Sequence, residues 1–258
     1  MMVLPEFIGL MLCFFFIATL YSSVGFGGGS SYLAILTLVF TEFYDIRTTA
    51  LLCNLVVVSG SCYLYYRKGH MDFRKFVPFI ITSIPLAFIG ASFRLKENVF
   101  FIILGCALII SSFALIVQTI KLHKKDEQRK EYPALVTYVL GGSIGFLSGL
   151  VGIGGGIFLA PVLNHMRWER SIKIAALASF FILVNSVSGM VGLVANGTFQ
   201  MPWPEALGLL IAVFLGGQLG IRISLGTLTG NGIKLITAIL VLFVGLRVLL
   251  VNGLQLQF

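Results

Sequence analysis

The chain has 258 residues, of which 58% are hydrophobic and 11% charged, with a mean hydropathy of +1.00. Soluble chains carry about 25% charged residues, so this composition excludes an ordinary soluble domain and predicts an all-α polytopic membrane protein. The formal net charge of +8 sits in short loops without an RNA-binding signature, which fits lysine and arginine retained on the cytoplasmic side of a bilayer and not a nucleic-acid partner.

The N-terminus lacks the basic region and small-residue cleavage pattern of a signal peptide, its only early charge being Glu6. An apolar run over residues 7–22 is followed by Gly25-Phe26-Gly27-Gly28-Gly29-Ser30 and a second apolar run to residue 41. As one straight helix, residues 7–41 would be about 52 Å long, against a hydrocarbon core of about 30 Å. Glycines inside a helix each cost about 1 kcal/mol relative to alanine, so two shorter arms meeting at a mid-membrane break fit better. Three full spans are predicted next, at 48–66, 76–93 and 98–120. The charged stretch 121–133 is the one linker. The pattern then restarts: an apolar run over 134–149, the break Gly152-Ile153-Gly154-Gly155-Gly156-Ile157, a short arm over 156–163, and spans at 174–195, 203–221 and 233–251. Residues 1–120 and 134–258 therefore read as two repeats, each a broken element plus three spans, eight segments by hydropathy.

Loop charge orients the halves. If each broken element crosses the bilayer once, the basic residues divide ten to eight. If each is a re-entrant hairpin, the loops near 67–75, 121–131, 165–173 and 222–234 hold fourteen, and only Arg47, Arg94, Lys96 and Arg247 lie opposite. The second division obeys the positive-inside rule. It places those four loops in the cytoplasm and both termini outside, in the inner membrane of a bacterial or archaeal cell. A hairpin plus three spans is an odd number of crossings, so the two repeats are inverted, a common plan of secondary transporters.

The short arms after each break expose backbone N–H groups with no intrahelical partner, at the positive end of a helix dipole. Two such ends can converge on one anion. Candidate ligands are the backbone around Gly27, Gly28, Gly29, Ser30 and Ser31 in the first break, the two serines also being able to cap the helix. In the second they are Gly154, Gly155, Gly156 and Ile157. Polar residues inside spans are Asn54, Ser59 and Ser61 in one, Ser179, Asn185, Ser186 and Ser188 in its repeat partner, and Gln218; of these Asn54, Ser179, Asn185 and Gln218 are the candidates that add neutral side-chain groups to the site. Arg222, at a span end, is placed to recruit an anion. The bland alternative is that the glycines only allow close helix packing and the polar side chains only join helices.

Neither break completes GxGxxG and no Walker lysine follows, which argues against nucleotide binding. The three histidines lie in or beside basic loops and no membrane-embedded base pairs with Ser30 or Ser31, so the chain is not read as an enzyme. Cys13, Cys53, Cys62 and Cys106 lie apart in apolar segments, read as small buried hydrophobes, and no metal or other cofactor is implied.

The glycine motifs, with Gly149-Leu150-Val151 leading into the second and Phe158-Leu159-Ala160-Pro161 following it, resemble the TauE/SafE sulfite exporter family. Thr49-Ala50-Leu51-Leu52-Cys53-Asn54, Ala175-Ala176-Leu177-Ala178-Ser179 and the turn Gly69-His70-Met71-Asp72-Phe73 add to the likeness, which covers essentially the whole chain. Two positions break the match between halves: Ala34 stands opposite Pro161, and Gln200 opposite Asp72. The resemblance implies a permease for a small sulfur-containing anion, such as sulfite or an organosulfonate. It also implies eight transmembrane segments with each broken element counted as one. An anion channel, or a transporter of another oxyanion or a carboxylate, is the alternative. The expected partners are that anion and the lipid bilayer, with homo-oligomerisation left open.

Overall fold

The computed structural model describes residues 4–40, 42–93, 95–121, 130–200, 202–226 and 231–255, and among these every regular element is helical. Helix α1 (Leu4–Ser23) and the short α2 (Gly29–Leu36) flank the first break. Three long helices follow: α3 (Phe43–Arg67), α4 (Phe73–Ser92) and α5 (Glu97–Lys121). The second half has α6 (Ala134–Val151) and the short α7 (Gly156–His165), then α8 (Ser171–Ala195), α9 (Trp203–Leu225) and α10 (Asn231–Arg247), the last continued by a π turn, Val248–Gly253. Most of the linker, including His123, Lys124, Lys125 and Arg129, lies outside the described residues, as does Arg94.

Among the described residues, eight helices are long and apolar enough to cross a bilayer. Six are the full spans expected from hydropathy, and the other two are α1 and α6. The expectation that each arm of a broken element is too short to span is therefore corrected for the first arms. Helix α1 starts at Leu4, because Pro5 and Glu6 are tolerated in a first turn, where N–H groups are unpaired and the dipole favours an acid. Only α2 and α7, with 8 and 10 residues, are short.

Helix boundaries have local causes. Asp72 caps α4, its side chain accepting from the Lys75 N–H at 3.4 Å. Helices α3 and α8 end alike. The His70 N–H reaches Tyr65 O and the Thr198 N–H reaches Leu193 O, both at 3.0 Å, with Gly69 and Gly197 at φ 71° and 65°. These are Schellman ends, which need a left-handed residue after the helix.

The first helix of each half packs on the second of the three long helices that follow the break in the other half, α1 on α9 and α6 on α4. Along α1 and α9, Gly208 lies against Phe7 and Met11, Gly216 against Phe15 and Ala18, and Gly220 against Thr19 and Ser22. The two helices therefore run in the same direction. Likewise Gly141, Gly145 and Gly149 of α6 lie against Phe79, Ser83 and Ala87 of α4. Small residues four apart let backbones approach closely where lipid supplies no hydrophobic drive. Helices α3 and α8 pack together at the centre, and α5 packs on α10.

The loops gather at two ends of the bundle. At one, Tyr65 OH lies 3.2 Å from Ser224 Oγ, and Lys75 pairs with Glu169 at 3.0 Å. This basic end also carries Arg67, Lys68, Arg74, Lys130, Arg167, Arg170 and Lys173. At the far end, Phe43 of α3 meets Phe100 of α5, and Arg47 reaches the end of α6.

Arg47, expected in a loop, sits inside a helix, and Arg222, at its expected span end, points outward. Arg47 is in the second turn of α3 and only 4% exposed. Its Nη2 donates to Gly149 O at 2.9 Å and Leu150 O at 3.3 Å, and its guanidinium lies over the Phe100 ring at 5.5 Å. The unpaired carbonyls at the C-terminus of α6 supply the reason, since they attract a cation. Arg222 is exposed, turned away from the packing face of α9 formed by Gly216, Gly217, Gly220 and Ile221, so it does not project inward. Cys53 and Cys62 are buried as expected, whereas Cys13 and Cys106 face outward on α1 and α5.

Candidate functional site

The first break begins as a Schellman turn. The Phe26 N–H donates to Tyr21 O at 2.8 Å and the Gly25 N–H to Ser22 O at 3.1 Å, with Gly25 at φ 86°, and the Phe26 ring packs on Tyr21 with centroids 6.5 Å apart. The chain then turns back. Gly28, at φ 88°, is the N-cap of α2, and Ser31 Oγ lies 2.7 Å from Tyr21 OH. Tyr32 stacks on Phe14 at 4.7 Å, and Ala34 O accepts from Arg247 Nη1 at 2.8 Å, near the end of the bundle from which α1 set out. The helix starts at Gly29, which places Ser30 and Ser31 inside its first turn. Neither serine caps it, and the N-cap makes no side-chain bond.

The second break is built the same way. Gly152 ends α6 at φ 69°, Gly154 and Gly155 follow at 76° and 78°, and Gly155 is the N-cap of α7. Helix α7 returns beside the segment that leads into α6: the Lys130 N–H donates to Arg167 O at 3.2 Å and Tyr132 OH to Met166 O at 2.8 Å.

Asn54, at the middle of α3 and 1% exposed, joins the two breaks. Its Oδ1 accepts from the Gly29 N–H at 3.3 Å, while its Nδ2 donates to Ile153 O at 3.3 Å and Ser186 Oγ at 3.2 Å. Around it lies a cavity of about 10 Å³, lined by Gly27 to Ser30, Ile153, Ile157 and Ile182. That is room for about one water. Both short helices point their N-termini here. The Ser31 and Tyr32 N–H groups bond to Gly28 O, and those of Phe158 and Leu159 to Gly155 O, which leaves the Ser30, Gly156 and Ile157 N–H groups with no intrahelical acceptor.

The remaining candidates divide. Gly154 lies against Ile182, Ser186 and the Asn54 amide, Gly155 against Ser148 and Phe181, and Gly156 against Ile182. Ser179 Oγ donates to Gly25 O at 2.9 Å, so α8 holds the end of α1. Asn185 is buried with neither amide atom partnered. Gln218 packs against Gly60 on another face of α3 and does not line the central cavity. Ser186, which the sequence places among the polar residues of a span but not among the site residues, is one of Asn54's three partners. A serine one residue from Asn185 on a central helix was the only signal for it.

The two halves are not equivalent at this site. Helices α3 and α8 both have 25 residues and are offset by 128 positions (171 − 43). At that offset Asn54 corresponds to Ile182, and each touches its own break, Asn54 at Gly27 and Gly29 and Ile182 at Gly154 and Gly156. The same offset matches Arg47 with Ala175. On the basic side, Ala175 and Ser171 border a vestibule of about 320 Å³, with Ser23, Gln118, Asn164 and Lys234 in its wall. At the far end Phe43, Tyr44, Arg47 and Phe100 fill the corresponding place and leave about 10 Å³. Phe26 lines both the vestibule and the central cavity.

One charged cluster stabilises the basic end. Glu169 accepts from Lys75 Nζ at 3.0 Å and lies 3.7 Å from Lys173 Nζ. Burial pushes its carboxyl up. The Arg170 N–H, the bond from Lys75 and the charges of Lys173 and Lys75 outweigh that and hold it below its ordinary value.

Comparison with known proteins agrees with this architecture. A probable membrane transporter protein of Sinorhizobium fredii, y4hK, is 32% identical over 248 residues, covering 95% of this chain and 98% of that protein. The probable membrane transporter protein YunE of Bacillus subtilis is 26% identical, covering 87% and 90%. The probable membrane transporter protein MJ0441 of Methanocaldococcus jannaschii is 25% identical, covering 83% and 85%. No solved structure matches the chain. The family model described as sulfite exporter TauE/SafE matches residues 10–248, both glycine breaks included, and the chain is thus an integral membrane protein of the TauE/SafE sulfite exporter family of transporters.

Proposed function

We propose that this protein is a secondary transporter that moves a small sulfur-containing oxyanion, sulfite or an organosulfonate, by alternating access. The observation that carries the reading is the convergence of two helix N-termini, from two separate breaks, on the cavity held shut by Asn54. Unpaired N–H groups and dipoles favour an anion there. A cavity of about 10 Å³ is too small for an oxyanion, so loading requires the breaks to part. The Gly29 N–H, released from Asn54 Oδ1, and Asn54 Nδ2, released from Ile153 O, then donate to the ion. The open vestibule on one side and the filled space opposite give the two sides unequal access, as alternating access requires.

In the same reading residues 1–120 and 134–258 are inverted repeats joined by the 121–133 linker. The broken elements are opposed re-entrant hairpins, the basic end is cytoplasmic, and both termini are outside. The return of α2 and α7 to the ends left by α1 and α6, and the exchanged packing of α1 on α9 and α6 on α4, support it. Reporter fusions at the N-terminus and in the 121–131 segment are expected on opposite sides of the membrane, and the same side for both would sink the inverted arrangement.

The functional test is flux into proteoliposomes with sulfite, thiosulfate, sulfate, a sulfonate, a carboxylate and a cation. Saturable flux of a sulfur oxyanion is expected. Flux of the cation alone would overturn the anion site, and electrogenic flux without saturation would replace the transporter by a channel.

A further inference from the structure

The wall of the vestibule holds a cation with no counter-charge among the described residues. Lys234 lies in the first turn of α10, partly buried, and makes no ion pair among the described residues. Of the described acids at this end, Glu169 pairs with Lys75 and Lys173, Asp72 lies 4.0 Å from Lys173, and Glu131 is exposed and makes no ion pair with Lys234. A cation drawn into a confined wall without a counter-charge is unfavourable. Gln118 lines the same cavity while 8% exposed, and its Oε1 has no partner. Amide oxygen and nitrogen can exchange places by rotation, so this side chain can present its NH₂ group to a ligand. Ser171 and Asn164, hydrogen-bonded to each other at 3.3 Å, complete a polar rim. At about 320 Å³, against about 10 Å³ for the central cavity, the vestibule has room for several waters, or an oxyanion with part of its hydration shell.

We infer that the vestibule is a second anion subsite, anchored by Lys234 and assisted by Gln118, where a small oxyanion waits on the basic side of Phe26 before or after occupying the glycine-lined cavity. This rests on the transport reading above. Phe26 is the shared wall, so passage between the two sites requires its ring to move from Tyr21. Lys234 contributes affinity from one side only, since Arg47 at the far end is bonded to the carbonyls of α6 and closes that route.

The test compares wild type, K234Q, K234R and Q118L in proteoliposomes, reading initial sulfite flux against sulfite concentration at low and high salt. K234Q should raise the half-saturating concentration about tenfold, the scale of one hydrogen bond to a charged group. Its maximal rate should change little, its salt dependence should weaken, and K234R should restore both. Q118L should raise half-saturation about threefold. An unchanged half-saturating concentration in K234Q, or a loss of maximal rate that K234R shares, would overturn the subsite. Repeating the series in purely zwitterionic lipid separates the ion from an anionic headgroup. An effect that persists supports the subsite, and one that vanishes assigns Lys234 to lipid and removes it. Wild-type protein that moves none of the anions would overturn the transport reading itself, a result distinct from wild-type flux that is indifferent to Lys234.

Discussion

Replacing Asn54 by leucine tests the centre of the molecule with little change of volume. The substitution removes the acceptor of the Gly29 N–H and both donors to Ile153 O and Ser186 Oγ, at 3.2–3.3 Å. These bonds are longer than the usual 2.9–3.0 Å, and interhelical bonds in membranes average about 0.6 kcal/mol, so three contribute about 2 kcal/mol. The orphaned groups add more. Gly29 N–H and Ile153 C=O lie at backbone breaks, where no helix can re-satisfy them, and each costs about 1–3 kcal/mol if left unpaired. The expected loss is therefore about 4–8 kcal/mol, measured as unfolding in detergent by heat or denaturant. Asn54→Asp keeps an acceptor for Gly29 and should unfold less readily than Asn54→Leu, yet it puts an acid in the path of an anion and should slow flux more than it weakens the fold. An Asn54→Leu protein within about 0.5 kcal/mol of wild type, the range of an inconsequential surface change, would refute the idea that this side chain clamps the breaks.

Three other outcomes are expected. Gly145→Ala should destabilise by about 1–3 kcal/mol, because its methyl would press on the Ser83 backbone of α4. Gly189→Ala, with no atom within 4 Å of the added carbon, should be neutral or stabilising by up to about 1 kcal/mol, and melting curves that rank the two the other way would contradict the packing of α6 on α4. The Glu169 carboxyl is held below its ordinary 4.5, so its contribution is complete above that pH and is lost as pH falls through the lower folded value. Glu169→Gln should flatten the acid side of a plot of melting temperature against pH, and an unchanged slope would assign acid sensitivity elsewhere. Arg47→Met should cost about 1–2 kcal/mol, since the methionine refills much of the space while the α6 carbonyls lose their donor. Arg47→Ala should cost more and leave the far end leaky to the transported ion; melting and leak measurements in which alanine is no worse than methionine would dismiss Arg47 as the closure.

Legibility in the sequence followed the range of the forces. The six full spans and both breaks could be located because hydropathy and runs of glycine are local signals. The ends were less legible where charge was misleading. Arg47 counted as a loop residue because a cation near a span end normally marks the membrane edge, and only the distant carbonyls of Gly149 and Leu150 explain its burial. Lys234 was hidden by the same habit, being one cation among fourteen on its side. Asn54 could be singled out as a polar residue at mid-depth. That it would be fully engaged by protein groups could not, since its partners lie 25, 99 and 132 residues away. The exchange of α1 and α6 between halves left a visible trace in Gly216 and Gly220, but a glycine face announces that some backbone will come close and not which one.

That exchange has a consequence for how the protein is made. Helix α1 is synthesised first, and its glycine-faced partner α9 begins 180 residues after α1 ends (203 − 23). At about 5–20 residues per second the wait is roughly 10–40 s. The partner of α4 begins 42 residues after α4 ends (134 − 92), a delay of roughly 2–8 s. The first helix therefore enters the bilayer with no mate for most of the time the ribosome is at work, and the first half cannot mature as a unit on its own. Assembly closes only when the ninth helix slides in beside the first, so a chain interrupted before residue 203 leaves α1 without its partner, a natural substrate for membrane quality control.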